Sequence, residues 1–166
     1  KELYKKCLDS VAWADEIIKV ETENLKGSFA EWRNYGAKKA KGDWILYVDS
    51  DEQVTEVLKE EIRRSIVEMD FAAYAVPRRN FIFGKEFRHC GQWPDYQKRL
   101  FEKSAFKGWT GDLHEESHYD GELGHLHNPL IHQKQMTLSQ MVQKTNDWSE
   151  VEAKLMFEAH HPPMNI

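Results

Sequence analysis

Cysteine is nearly missing: Cys7 and Cys90 are the only two in 166 residues. That excludes a disulfide framework and points to a reducing compartment. Long apolar runs are missing too. No uncharged stretch approaches the ~18 residues that a membrane-spanning helix needs. Lys1-Glu2-Leu3-Tyr4-Lys5-Lys6 opens the chain without the apolar core of a signal peptide. Nor is there a surplus of positive charge, since the formal net charge is −5. This argues against a general nucleic-acid binder. No internal repeat or low-complexity tract is visible. What is present, 40% hydrophobic and 31% charged residues, fits one globular domain with a real core. The first residue is not Met, so the chain reads as a fragment or a processed product.

Periodicity divides the chain in two. Residues 1–14 have Leu3, Cys7, Leu8 and Val11 at helical spacing, and 15–21 read as a strand ending in an acid. Residues 22–27 are polar and loop-like. Ser28 and Glu31 predict a capping box opening a helix to about Lys41, with Gly42 as its stop. A strand over 44–48 follows, and then a helix capped by Thr55 with Leu58, Ile62 and Ile66 on one face. Beyond residue 70 come short strand candidates at 72–77, 81–83 and 98–101. A Gly-, His- and acid-rich functional loop is expected over 108–124, and one strand over 125–132. Thr137 and Gln140 form a second capping box. They start a long helix whose apolar stripe, Leu138, Met141, Val142, Trp148, Val151 and Leu155, is read as core packing and not as a membrane face. Pro162 and Pro163 end it.

The most informative stretch is Gly42-Asp43-Trp44-Ile45-Leu46-Tyr47-Val48-Asp49-Ser50-Asp51-Glu52. A short apolar run that ends in three carboxylates reads as a buried strand of a parallel sheet. Ligands of open α/β sheets bind beyond the carboxyl ends of their strands. Alternation would put Asp49 and Asp51 on one side, where two oxygen donors can hold a hard divalent cation that bridges a diphosphate. Taken alone, Asp-Ser-Asp is also an ordinary turn sequence. The basic clusters Lys38, Lys39, Lys41 and Arg78, Arg79 read as solvated faces, with an anionic-ligand role for Arg78 and Arg79 as the alternative.

Glu31-Trp32-Arg33-Asn34-Tyr35-Gly36-Ala37 followed by Lys41 to Glu52 resembles the family 2 glycosyltransferases of GT-A fold. Trp93-Pro94-Asp95-Tyr96-Gln97-Lys98-Arg99-Leu100-Phe101 and Trp109-Thr110-Gly111-Asp112-Leu113-His114-Glu115 resemble the branch of bacterial lipopolysaccharide-core sugar transferases that includes heptose-directed glucosyltransferases. The resemblance implies an α/β fold of GT-A type: a mainly parallel, Rossmann-like sheet flanked by helices, with a mixed C-terminal acceptor half and a long last helix. One domain is implied, with residues 1–70 as the nucleotide-sugar half and 71–166 as the acceptor half. The implied reaction is inverting transfer from a nucleotide diphosphate sugar, with a UDP-sugar as the guess, to a glycan or lipid-linked acceptor. Asp51 would bind Mn²⁺ or Mg²⁺, and Asp49 the metal or the ribose. Arg33 would approach the diphosphate, while Arg99, Gln97 and Trp93 would shape the pocket around core residues Leu100 and Phe101. Glu115 is the candidate base, with Asp112 and Glu116 behind it. His127 and His132 are candidates for a third metal ligand, although each reads first as a structural histidine. Cell-envelope polysaccharide synthesis in the cytoplasm or at the inner face of the membrane is implied, with at most peripheral membrane contact.

Two departures stand out. The apolar first strand ending in Pro-x-x-Asn-Glu is not found before Lys1, so the chain is expected to be truncated relative to a full enzyme. Val20-Glu21-Thr22-Glu23-Asn24 replaces the usual Asp-x-Gly-Ser turn, which leaves Glu21 as the nucleotide-contacting acid and the nucleotide preference open. Two other functions compete. One is a non-catalytic nucleotide-sugar-binding module. The other is a zinc metallopeptidase through His114-Glu115-Glu116-Ser117-His118, a pattern that works only on a helix.

Overall fold

The computed structural model describes residues 2–21, 27–89, 91–111, 115–134 and 137–158. Helix α1 is Glu2–Ser10 and α2 is Phe29–Lys39. Ser28 and Glu31 close the reciprocal capping box at the start of α2: Ser28 N donates to Glu31 Oε2 at 2.8 Å, and Glu31 N donates to Ser28 Oγ at 3.3 Å. The helix ends at Ala40, in extended conformation, two residues before the expected Gly42. Strands β1 (Trp44–Leu46) and β2 (Glu52–Val54) flank the acidic turn, and α3 is Glu56–Glu68 behind the Thr55 cap. Then follow β3 (Ala73–Ile82), β4 (Lys85–Glu86), β5 (Asp95–Glu102), β6 (Phe106–Thr110), β7 (Glu116–Tyr119), β8 (Leu123–His125) and β9 (Leu130–Lys134).

The main sheet runs β1-β5-β3-β9-β2, with β4 and β8 also paired to β3. It is mixed: β3 pairs parallel with β8 and β9 and antiparallel with β4 and β5. The expected parallel strand at 44–48 is therefore corrected, because β1 pairs antiparallel with β5, with Ile45 opposite Phe101. Its residues are half-buried, and among the described residues it pairs on that side only. The strand expected over 15–21 is also corrected. Residues 16–21 pair with no other strand among the described residues. Two further expectations change. Most of 72–77 and 81–83 falls in one strand, β3, while the expected strand over 125–132 is replaced by the end of β8, a connecting segment and the start of β9.

Apolar side chains pack on both sheet faces. Val54, Leu58, Ile62, Tyr74, Val76, Leu100, Leu126 and Leu130 form one cluster, joined by Val11, Trp13 and Ile66. Ala30, Ala73, Phe101 and Trp109 form the other, with Tyr47, Phe106 and Tyr119 around them. The second cluster is closed by the β6–β7 ribbon, which occupies much of the expected 108–124 loop. Asn34 on α2 clasps that ribbon: its Nδ2 donates to Trp109 O and its Oδ1 accepts from Trp109 N, both at 2.8 Å. Gly108, at φ +127°, makes the approach possible, because a Cβ there would lie 3.0 Å from Asn34 Oδ1.

A second compact unit, Gln135–Ile166, contains α4, Leu138–Glu158. Its capping box holds: Thr137 N donates to Gln140 Oε1 and Gln140 N to Thr137 Oγ1. Within this unit no described residue of α4 is buried. Pro162 and Pro163 lie outside the described residues.

Candidate active site

At the end of β1 the chain turns instead of continuing as a strand. Glu52 N donates to Asp49 O at 2.9 Å, and Asp49 N donates to Glu52 Oε2 at 3.0 Å. The turn breaks the alternation on which the paired-acid expectation relied, so Asp49 and Asp51 engage different partners. Asp49 accepts from Arg33 Nη2 of α2 at 3.0 Å and from Arg99 Nη2 of β5 at 2.6 Å. The same Arg99 nitrogen donates to Glu52 Oε1 at 2.6 Å, and Arg78 Nη1 reaches that oxygen at 3.3 Å. The Arg99 and Glu52 side chains are 4% and 0% exposed, so this is a buried ion-pair cluster opening at Asp49.

Burial would raise the Asp49 carboxyl, but the charges and hydrogen bonds of Arg99 and Arg33 outweigh it and hold the group at about 2. An unfolded aspartate titrates near 3.9. Asp49 therefore contributes its full stabilisation above about pH 4 and loses it as the pH falls through its folded value. Thermal midpoints measured across this range should decline more steeply for the parent than for Asp49→Asn. Equal slopes would contradict the pairing.

Asp51 faces His132, with Oδ2 and Nε2 3.4 Å apart. Burial pushes its carboxyl up, while the hydrogen bond and charge of His132 prevail and lower it. Its side chain is 43% exposed against 6% for His132, so one oxygen donor and one nitrogen donor meet at an accessible point. Among the described residues no group of three or more His, Cys, Asp or Glu is arranged to hold a metal. Asp49, with both oxygens taken by guanidinium groups, is not brought to the Asp51–His132 pair. Behind His132 lie Asn80 and Asp95, and Gln97 Nε2 donates to Asp95 Oδ1 at 2.7 Å.

Glu115 joins the other end of the cluster, with Oε1 4.0 Å from Arg33 Nε. That nitrogen is buried and finds no hydrogen-bond partner among the described residues. Arg33 lies over Trp109 and Tyr47, at 5.1 and 5.7 Å from the ring centroids. Of the residues expected in the site, the structure thus gathers Arg33, Asp49, Arg99 and Glu115, with Asp51 beside His132. Glu21 is exposed and makes no polar contact with them. Glu116 is exposed on β7, and Asp112 lies outside the described residues.

Several expectations are corrected here. Residues Glu116–Tyr119 form a strand, so His118 is not on the helix that a zinc-peptidase motif requires; its Nε2 pairs with Thr110 Oγ1 at 2.7 Å. His114 lies outside the described residues. His127 is exposed, with Nδ1 3.1 Å from Glu61 Oε1. The basic pair at 78–79 is neutralised internally: Arg78 by Asp95 and Glu52, Arg79 by Glu86. The buried Glu52 and Asn80 and the partly buried Asp95 were missed as site residues. The signals available were the position of Glu52 directly after Asp-Ser-Asp and that of Asp95 within the Trp93–Phe101 motif.

The mixed α/β sheet flanked by helices is consistent with a GT-A fold. The Glycosyl transferase family 2 profile matches residues 4–119, and the chain belongs to that family. Its reaction is transfer of a sugar from a nucleotide sugar to an acceptor. No helix among the described residues is long and apolar enough to cross a membrane.

Proposed function

We propose that the transfer is metal-dependent and inverting, from a UDP-sugar to a glycan or lipid-linked acceptor such as a lipopolysaccharide core. The observation that carries this reading is the grouping of Asp49, Arg33 and Glu115 at the end of β1, with Asp51 and His132 alongside. The chemistry of the Asp51–His132 pair fits a divalent cation such as Mn²⁺ or Mg²⁺. Asp51 and His132 would hold the cation, which would supply positive charge to offset the negative charge gained by the departing nucleotide diphosphate. Arg33 adds a second positive charge on the same side, oriented by Asp49. Asp49 itself, held by two guanidinium groups, is assigned to the ribose side of the nucleotide and not to the cation. Arg99 fixes Asp49 from beneath.

Glu115 is assigned the general base. A single in-line displacement inverts the anomeric carbon, and it requires a carboxylate to take the proton of the attacking hydroxyl. Its neighbour Arg33 keeps it turned toward the cluster and not toward bulk solvent.

Asp51→Ala should abolish metal-dependent donor binding while leaving the fold intact, because a half-exposed turn acid contributes little packing. Calorimetric titration with UDP and Mn²⁺, beside circular dichroism of the same sample, checks both halves. Unchanged affinity in Asp51→Ala would remove this residue from the site. Donor binding with no turnover on any acceptor would favour a non-catalytic nucleotide-sugar-binding module.

A further inference from the structure

Four side chains in series, Arg78, Asp95, Asn80 and His132, lead away from the ion-pair cluster and end at Asp51. Asp95 Oδ2 accepts from Arg78 Nη2 at 2.7 Å, from Arg78 Nε at 3.0 Å and from Asn80 Nδ2 at 3.0 Å. An ionised carboxylate only accepts, and so does the Gln92 carbonyl, which lies 3.3 Å from the same Asn80 nitrogen. Asn80 must therefore turn its NH₂ toward Asp95 and Gln92. Its carbonyl Oδ1 then faces His132 Nδ1 at 2.6 Å. A carbonyl oxygen cannot donate, so the proton in this bond belongs to His132 Nδ1. In the neutral ring, Nε2 is then a bare electron pair, and it points at Asp51 Oδ2, 3.4 Å away. Two acceptors facing each other at that distance are held together only by a positive charge between them, either a proton on Nε2 or a metal cation in its place. Asn80 is 2% exposed and His132 5%, so water does not scramble these assignments.

We propose that Asp95 and Asn80 are positioning residues that lock His132 in its Nδ1–H tautomer, presenting Nε2 beside Asp51 as a preformed nitrogen–oxygen seat for a divalent cation. The proposal rests on the metal reading of the preceding subsection and deepens it. It also selects the ion. An imidazole nitrogen in the seat favours a first-row transition ion such as Mn²⁺ over Mg²⁺, whose preferred ligands are oxygens. Partners that orient a metal-bound histidine typically change metal affinity by about 10- to 100-fold when removed.

The first measurement needs no variant and no metal. Long-range ¹H–¹⁵N correlation spectra of the whole chain, at a pH where the ring is neutral, should show His132 protonated at Nδ1 and bare at Nε2. The opposite tautomer overturns the proposal. Asn80→Leu keeps the volume and removes the acceptor. It should move the proton to Nε2, weaken Mn²⁺ binding by about 10- to 100-fold and narrow the gap between Mn²⁺ and Mg²⁺. A tautomer and an Mn²⁺ affinity both unchanged in a folded Asn80→Leu would also overturn it. His132→Ala separates the two layers of argument. If the parent shows the expected tautomer but His132→Ala binds Mn²⁺ as tightly, the metal reading of this pair falls while the tautomer lock stands. If Mn²⁺ binding depends on His132 but the parent carries its proton at Nε2, the lock falls and the metal reading stands.

Discussion

Glu115→Gln is expected to lower kcat by about 10²- to 10⁴-fold, the usual contribution of a positioned general base. The amide preserves volume and shape, and Glu115 is linked to the rest of the site through Arg33 at 4.0 Å, so donor affinity should barely move. Glu116→Gln is the control. Glu116 opens β7, where successive side chains point to opposite faces, and it is exposed. Kinetics of both variants on one acceptor and one donor decide between them. If the Glu116 variant is the dead one, the base is misassigned by one residue. If both turn over normally, Asp112 becomes the next residue to test.

The second large effect is on stability. Arg99→Met should cost about 3–5 kcal/mol, the usual consequence of removing one member of a buried ion pair. Arg99 donates to both Asp49 and Glu52, and Glu52 is fully buried. Methionine fills most of the space but leaves Glu52 with one cation, Arg78 at 3.3 Å, and the backbone N–H of Asp49 at 3.0 Å. The penalty is mainly that of a stranded buried carboxylate, not of a lost attraction. The double variant Arg99→Met/Glu52→Leu should therefore recover much of the loss. Urea denaturation gives both values. A loss under 1 kcal/mol in Arg99→Met, or no recovery in the double variant, would falsify this account of the cluster.

Features governed by near neighbours in sequence could be read without a structure. The capping boxes of Ser28 with Glu31 and Thr137 with Gln140 form as expected, and Leu58, Ile62, Leu100 and Phe101 are core residues. The gathering of Arg33, Asp49 and Glu115 could be anticipated only through the order of family motifs, because nothing in their spacing says that α2 and the segment before β7 meet. Glu52, Asn80 and Asp95 were hidden for a different reason. Each is placed by register between strands distant in sequence: Asp95 lies opposite Arg78, and His132 neighbours Asn80 on one side and Glu52 on the other. A polar residue in a strand looks solvent-facing until its cross-strand partner is known. The direction of β1 was misread similarly, since an apolar run does not declare which way its neighbour travels. The stripe of α4 has helical period, but periodicity shows only that one face is apolar, not what covers it.

The clasp between Asn34 and Trp109 has a consequence for solubility. A two-stranded ribbon has two open edges, and each offers backbone donors and acceptors on which a foreign strand can grow. β6 uses one edge to hold β7. At the middle of its other edge, the side-chain amide of Asn34 takes the place that a third strand's peptide group would occupy, satisfying both the N–H and the C=O of Trp109. A single helix-borne amide thus impersonates a neighbouring strand. It closes the ribbon against edge-to-edge association at the residue whose indole packs on Arg33.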